Sequence, residues 1–450
     1  MFKYEGEITQ KTVLGFISEH QKMLERYKKL QEYYEGKSEI LKRETEKGNN
    51  INNKLVNNYA GYITDMAIGY FMGRPVNYAQ IGENTDFLPV MQGIYNYNDE
   101  QDENTEIAKQ CSIKGKCFEI VYLDSNDLDE SGVPKLRFNK VDADEMFCVY
   151  DYGISPEMVF AVRKYKIKTQ DKEIEKLEVY TTDEIIFYDK TGSNLVETGK
   201  VSHFFKIVPV VEFLNNEEAQ GDYEKVIDLI NAYDKAESDS INNIEYFANC
   251  YLYLVGFKNT QMQDITEMRE KRVLLLDEKG EAGFLTKEEN STEIENITNR
   301  LKSDIHKFSL VPDLTDEKFA GNQTGIAIAY KLLGLEQLSV KKERKFKRGL
   351  QRRLEIITNY LNFRGMNYDY RIIQMKFTRN IPVNDKENVE IVQMLQNIIS
   401  KKTSLSHLTM IDDVNAELEN IEEEKQAYAN VKDILSKADI DEAQGDDDES

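Results

Sequence analysis

No stretch of this 450-residue sequence approaches the roughly eighteen uncharged apolar residues that a membrane helix needs. Residues 1–20 carry Glu5, Glu7 and Glu19 and hold no long apolar run, so they lack a signal-peptide pattern as well. Cysteine is scarce: Cys111, Cys117, Cys148 and Cys250 form no C-x-x-C pair and have no histidine at ligand spacing. They read as reduced, buried small hydrophobes. The four histidines, His20, His203, His306 and His407, are scattered without H-E-x-x-H spacing or a nucleophile elbow, which removes support for zinc hydrolysis and for a serine triad. Gly36-Lys37-Ser38 and Gly199-Lys200 both lack the upstream glycine of a phosphate-cradling loop. ATP hydrolysis is not expected. Asp412-Asp413 and Asp446–Asp448 lack the glycine and distant bidentate glutamate of a calcium loop and read as solvated faces. Hence no catalytic residue, cofactor site or metal site is expected.

The sequence does have acid, with 81 Asp and Glu against 58 Lys and Arg, a net charge of −23. A coat of negative potential repels phosphate, so this is not a whole-surface DNA binder, and any basic function must be local. Residues 411–450 hold fifteen acidic side chains against three lysines, a net −12. Their end, DEAQGDDDES, reads as a disordered solvated tail.

The length suggests roughly three domains at about 150 residues each. Helical spacing of Val13, Phe16, Ile17, Leu24, Tyr27, Leu30, Tyr33 and Tyr34 predicts two helices in an N-terminal arm that ends near Gly36. A further helix is predicted over 54–72, stopped by Gly73 and Pro75. From Gly115 to Phe213 the period becomes two, with Phe118, Ile120 and Tyr122 alternating with polar residues, which predicts an antiparallel meander. A helix or helix pair follows over 222–256, then β-like runs at Arg272–Asp277 and Gly283–Leu285. A helix at 291–310, a polar loop at 312–324 and a long helix at 325–364 come next. Gly334 and Gly349 permit bends in that last helix at about 1 kcal/mol each. A strand at 368–379 and helices at 384–400 and 411–436 complete the chain.

One constellation stands out. In residues 341–353, KKERKFKRGLQRR, eight of thirteen side chains are basic. Lys341, Arg344, Lys345, Arg348 and Arg352 fall on one side of a helix, with Phe346, Leu350 and Leu354 on another. Two readings stay open: a solvated face, or an electrostatic contact with DNA phosphates or with the acidic surface of a neighbouring copy.

The sequence resembles the portal proteins of long-tailed phages that infect Gram-positive bacteria. Five blocks carry the likeness: ERYKKLQEYYEGKSEIL at 25–41, NNYAGYITDMAIGYFMGRPVNY at 57–78, VPVVEFLNNEEAQGDYEKVIDLINAYDKAESDSINNIEYF at 208–247, FLTKEENSTEIENITNRLKSDIHKFSLVPDLTDEKFAGNQTGIAIAYKLLGLE at 284–336, and FKRGLQRRLEII at 346–357. The resemblance implies an α+β portal fold. Its parts would be an N-terminal arm (1–50), a wing (51–221) and two stem helices (222–256 and 291–311) around a clip (257–290). A tunnel loop (312–324), a long kinked helix with a wing strand (325–380), a crown (381–436) and the acidic tail (437–450) would follow.

In function it implies a non-enzymatic ring, usually dodecameric, at one vertex of the virion capsid, assembled in the host cytoplasm without membrane contact. Double-stranded DNA would pass through the ring. Its partners would be the terminase large subunit, head-completion or adaptor proteins, and capsid and scaffold proteins. Lys318, Asn322 and Gln323 would face DNA from the tunnel loop. Arg269, Lys271 and Arg272 in the clip would face terminase or adaptor. The competing expectation is a non-portal phage scaffold or head–tail adaptor.

Overall fold

A computed structural model of the chain describes residues 1–45, 51–82, 86–168, 173–192, 194–248, 252–255, 281–284, 291–314, 325–380 and 385–395, with positions at 263, 266 and between 398 and 426. The candidate residues Arg269, Lys271, Arg272, Lys318, Asn322 and Gln323, together with Cys250, His407 and the tail 437–450, lie outside the described residues. The chain divides into two compact units, Met1–Asn380 and Ile381–Ser450.

The first unit begins with β1 (Phe2–Lys3) and α1 (Gln10–Tyr34). Thr9 caps α1 by accepting from the Thr12 N–H at 3.2 Å. The sequence predicted two helices here, yet α1 is single, because His20 fills the stripe between Ile17 and Tyr27 and keeps the buried face continuous. Next comes α2 (Tyr59–Met72). It starts five residues later than its apolar pattern, since side chains further along the chain already hold the preceding backbone. Leu55 N–H donates to Ser238 Oγ at 2.9 Å and Asn57 N–H to Asp234 Oδ1 at 2.8 Å, leaving Asn58 to cap the helix at Gly61 N.

After β2 (Asn77–Gln80) come α3 (Phe87–Tyr97) and α4 (Glu100–Lys114), neither of them anticipated from the sequence. Pro89 and Gly93 interrupt the helical signal of α3. In α4 the buried side chains include Glu100, Asn104, Gln110, Ser112 and Lys114, so its inward face does not read as apolar. Gly115 closes α4 at φ +87°, and a Cβ there would lie 2.0 Å from the Ala219 carbonyl oxygen.

The predicted meander is present but divides into two sheets. The strands are β3 (Lys116–Leu128), β4 (Pro134–Val141), β5 (Met146–Tyr150), β6 (Met158–Lys168), β7 (Glu173–Tyr180), β8 (Glu184–Thr191), β9 (Asn194–Ser202) and β10 (Val210–Leu214). One sheet has the order β1-β5-β6-β7-β8-β9, antiparallel except for the parallel β1–β5 pair. The other is β10-β3-β4. The first half of α1 lies on the large sheet, where Val13 and Ile17 pack against Phe147, Phe160 and Leu177. Between the sheets, Tyr27, Phe118, Ile120, Met146 and Val210 form a second cluster.

Then α5 (Ile227–Ala248) ends eight residues before the expected boundary. The apolar Leu252-Tyr253-Leu254-Val255 run instead forms β11 (Leu252–Val255), paired antiparallel with β12 (Glu281–Phe284). The β-like run expected at 272–277 lies outside the described residues. The helix α6 (Ser291–Ser309) packs on α5, and α7 (Gly325–Phe363) follows. Helical structure is continuous through Gly334 and Gly349, and what these glycines provide is room. A Cβ at Gly349 would meet the Phe213 ring at 2.4 Å, so α7 can approach β10 only with glycine there. Finally β13 (Ile373–Lys376) pairs with β2 over a shorter span than the strand expected at 368–379. The main core gathers α2, α3, α4 and the small sheet around α7, through Phe71, Phe87, Ile107, Phe138, Phe213, Phe346, Leu350 and Ile357.

The second unit contains α8 (Asp385–Met394), α9 (Lys401–Leu405) capped by Ser400, and helical positions at 417–426.

His20 supplies a test of this packing. Its ring is buried, Nε2–H donates to the Ala143 carbonyl at 2.8 Å, and burial lowers its pKa from 6.5 to about 4. The unfolded chain therefore binds the proton first, so stability present above pH 6.5 drains as the pH falls towards 4. Between pH 7 and pH 5 this histidine should cost about 2 kcal/mol. Denaturant unfolding of His20→Gln at both pH values should show a correspondingly flatter dependence.

Candidate functional site: the two faces of the long helix

The basic run lies in the middle of α7, and the fold separates its charges by direction. Two cations point inward. Arg353 is wholly buried, with Nε donating to both carboxylate oxygens of Glu119 at 2.9 and 3.0 Å and Nη2 also donating to Glu119. Its Nη1 donates to Asn104 Oδ1 at 2.9 Å and to Glu100 Oε1 at 3.3 Å. The guanidinium also lies over the Phe138 ring, 4.5 Å from the centroid. Glu100 in turn accepts from the Tyr78 hydroxyl and from Asn104 Nδ2.

Burial works against the Arg353 charge, and the neighbouring Glu119 more than restores it, so its pKa lies above the ordinary arginine value. Burial pushes Glu100 above the usual carboxylate range, with Arg353 pulling it back.

The second inward cation is Lys342. Its Nζ donates to Asp222 Oδ2 at 2.5 Å and to Ser112 Oγ at 2.6 Å. Asp222 also accepts from Asn215 Nδ2 at 2.7 Å and from the Ser112 hydroxyl, while its backbone N–H donates to the Ser112 carbonyl. One lysine thus ties α7 to the end of α4 and to the turn that leads into α5.

The outward cations differ among themselves. Lys345 pairs with Glu217, and Arg352 pairs with Glu355 at 3.0 Å while donating to the Val208 carbonyl. Lys341, Arg344 and Arg348 are exposed, and none pairs with a carboxylate among the described residues. Arg348 adds only a longer-range attraction to Glu217. These three sit at i, i+3 and i+7, on one line that continues back through exposed Gln337 to Leu333 and Tyr330. Sequence reasoning placed five of the six outward residues on one side; the sixth, Lys347, pairs with Glu343 at 2.8 Å. That reasoning missed Lys342 and Arg353, although their spacing from Phe346 and Leu350 puts them on the buried face.

At the other end of the expected DNA-facing loop, the exit of α6 is described as far as Leu314. Tyr62 on α2 donates to the Pro312 carbonyl and accepts from the Leu314 N–H, both at 3.0 Å. Lys302 pairs with Asp313 at 2.8 Å.

Elsewhere the described residues offer no metal-holding group of three His, Cys, Asp or Glu, and no helix long and apolar enough to cross a membrane. Cys111, Cys117 and Cys148 are free and buried, and burial raises each thiol above its usual pKa.

A long helix carrying its cations on two faces, packed against a small sheet and followed by a strand that pairs back to β2, sits in a chain that matches a family of phage portal proteins. The match to the model described as phage portal protein, SPP1 Gp6-like, covers residues 15–431, and the chain belongs to that family. It is 27% identical over 444 residues to the portal protein of Bacillus phage SPP1, spanning 94% of this chain and 84% of that one. The portal protein of Clostridium phage phiCD119 is also 27% identical, over 428 residues, 89% of this chain and 93% of that one.

Among solved structures, "Neck of native GTA particle computed with C12 symmetry" matches with a TM-score of 0.47 and 11% identity, covering 77% of this chain and 88% of that one. "Neck of empty GTA particle computed with C6 symmetry" matches at 0.46 and 11%, covering 78% and 90%. The portal reading holds over a non-portal scaffold or head–tail adaptor.

The inward cluster makes a stability prediction. Arg353→Met leaves Glu119 buried without its counter-charge and should cost about 3–5 kcal/mol. Adding Glu119→Leu should recover a large part of that loss, because the cost lies in the stranded carboxylate. Denaturant unfolding of the two variants compares them directly.

Proposed function

We propose that this chain is the subunit of a closed ring, dodecameric in the virion, at one capsid vertex, and that the ring is the conduit for double-stranded DNA during packaging and exit. The observation that carries this reading is the family match along residues 15–431. On this reading α5 and α6 are the two stem helices, and the β11–β12 pair closes the base of a clip formed largely by 257–290. Arg269, Lys271 and Arg272 there meet the terminase large subunit, and later the head-completion or adaptor proteins. The wing spans 51–221 and the crown 381–436. Capsid and scaffold proteins surround the ring during its assembly in the host cytoplasm.

The energy comes from the terminase, and the chain itself is not an enzyme. Segment 312–324 is the tunnel loop, with Lys318 offering a phosphate contact and Asn322 and Gln323 offering neutral hydrogen bonds. A conduit for a polyanion needs few strong contacts, because each neutralised phosphate steepens the salt dependence of binding by a log–log slope of about 0.9. The acidic character of the chain suits sliding for that reason.

The exposed stripe of Lys341, Arg344 and Arg348 serves assembly on this reading. Tyr330 and Leu333 share its line, and apolar side chains suit a protein neighbour better than DNA. In a chain of net −23, the neighbour's carboxylates are the abundant counter-charge.

Negative-stain imaging of the purified protein tests the whole reading. Closed rings with an axial hole are expected, without ATPase or nuclease activity. A non-annular assembly, or divalent-dependent cleavage of DNA, would contradict it.

A further inference from the structure

We propose that Tyr62 is a positioning residue that fixes where the chain leaves α6, and so sets the root from which segment 315–324 starts. The inference rests on the tunnel-loop reading for its consequence, but its own evidence is local. A single phenol oxygen holds two backbone groups two residues apart, donating to the Pro312 carbonyl and accepting from the Leu314 N–H at 3.0 Å each. A hydroxyl can do both through one atom, because it carries a donor proton and acceptor lone pairs.

The ring that carries this oxygen is itself held. It meets His306 edge-on with centroids 5.6 Å apart, and Tyr59 meets the same imidazole at 5.8 Å. His306 lies on α6, and its Nδ1–H donates to the Val311 carbonyl at 2.9 Å. The exit is therefore gripped from the helix that ends there and from α2, a segment some 250 residues away in sequence.

Backbone conformation adds a reason why a grip is needed. Leu310 turns the chain at φ +64°, a left-handed conformation that costs a leucine on the order of 1–2 kcal/mol and persists only where its surroundings enforce it. On its other side α7 supplies the wall, since a Cβ at Gly334 would come within 3.2 Å of the Leu310 carbonyl oxygen. Ser309 Oγ accepts from the Val311 N–H, and Val311 is fully buried. Beyond Val311 the packing thins. Leu314 is 36% exposed, and an open cavity of about 260 Å³ lies between Tyr62, Lys302, His306 and Asp313. With so little apolar contact there, hydrogen bonds and the Lys302–Asp313 pair must fix the path of 312–314, and Tyr62 contributes two of them.

The test uses full-length Tyr62→Phe in assembled particles, read by amide hydrogen exchange and by the DNA content of filled capsids. The phenylalanine keeps the ring against His306 and removes only the oxygen. Loss of two hydrogen bonds predicts exchange at Leu314 roughly tenfold faster, with β3 amides unchanged. Packaged or retained DNA should fall. Unchanged exchange at Leu314 would overturn the positioning role, and so would an equal acceleration across β3, which would make Tyr62 a stabiliser of the whole unit. Faster exchange at Leu314 with a normal DNA content would leave the positioning role standing and remove the tunnel-loop reading instead.

Discussion

A guanidinium taken wholly out of water costs several kcal/mol unless its charge and its donors are met, and Arg353 is met from two directions. Glu119 comes from the small sheet, and Glu100 and Asn104 come from α4. The same requirement fixes the rotation of α7 about its axis, because any other rotation strands the arginine and two carboxylates. One turn of that helix thus specifies how α4 and β3 sit, and Phe346 and Leu350 then fill the space that the rotation defines. Lys342 repeats the device eleven positions earlier, binding the junction of α4 with the turn at Asp222 that starts α5. Buried ion pairs give little net stability against apolar substitutes, so what these two supply here is register.

Register matters because it decides which cations α7 presents to solvent. With Lys342 and Arg353 directed inward, Lys341, Arg344 and Arg348 are presented to solvent along one line. Lys345 and Arg352, which share that side in sequence, are engaged within the chain by Glu217 and Glu355. The basic run is therefore two systems: one desolvated and structural, the other exposed and subject to screening over about 10 Å at 0.1 M salt. Near the start of α7, Gly334 allows close approach to the exit of α6, so the same helix also bounds the root of the segment proposed to face DNA.

Much of this was legible in the sequence, and what was not has physical causes. The long helix, the meander and the apolar face of α2 followed from periodicity alone. Glu119 was not legible: it alternates with Phe118 and Ile120 like a solvent-facing residue, but β3 is buried on both faces and the second face holds an arginine. The same inversion hid α4, whose inward side chains are Glu100, Asn104 and Ser112. The late start of α2 and the early end of α5 were set by partners distant in sequence, Asp234 and Ser238 in one case and the β11–β12 pairing in the other. Family likeness, carried by blocks such as the one at 57–78, reached the function where the chemistry of single residues did not. Tyr62 lies in that block, and its role appears only once α2 and the end of α6 are brought together.

The central claim is that the inward cations of α7 hold the protomer, with the outward ones proposed to assemble it. Sedimentation velocity on the triple reversal Lys341→Glu, Arg344→Glu and Arg348→Glu, at about 0.1 M salt where exposed charges still act over a Debye length, addresses it most directly. The account predicts folded protomers in place of rings, with secondary structure unaltered by circular dichroism. Rings of ordinary size and salt resistance from the reversed protein would contradict it.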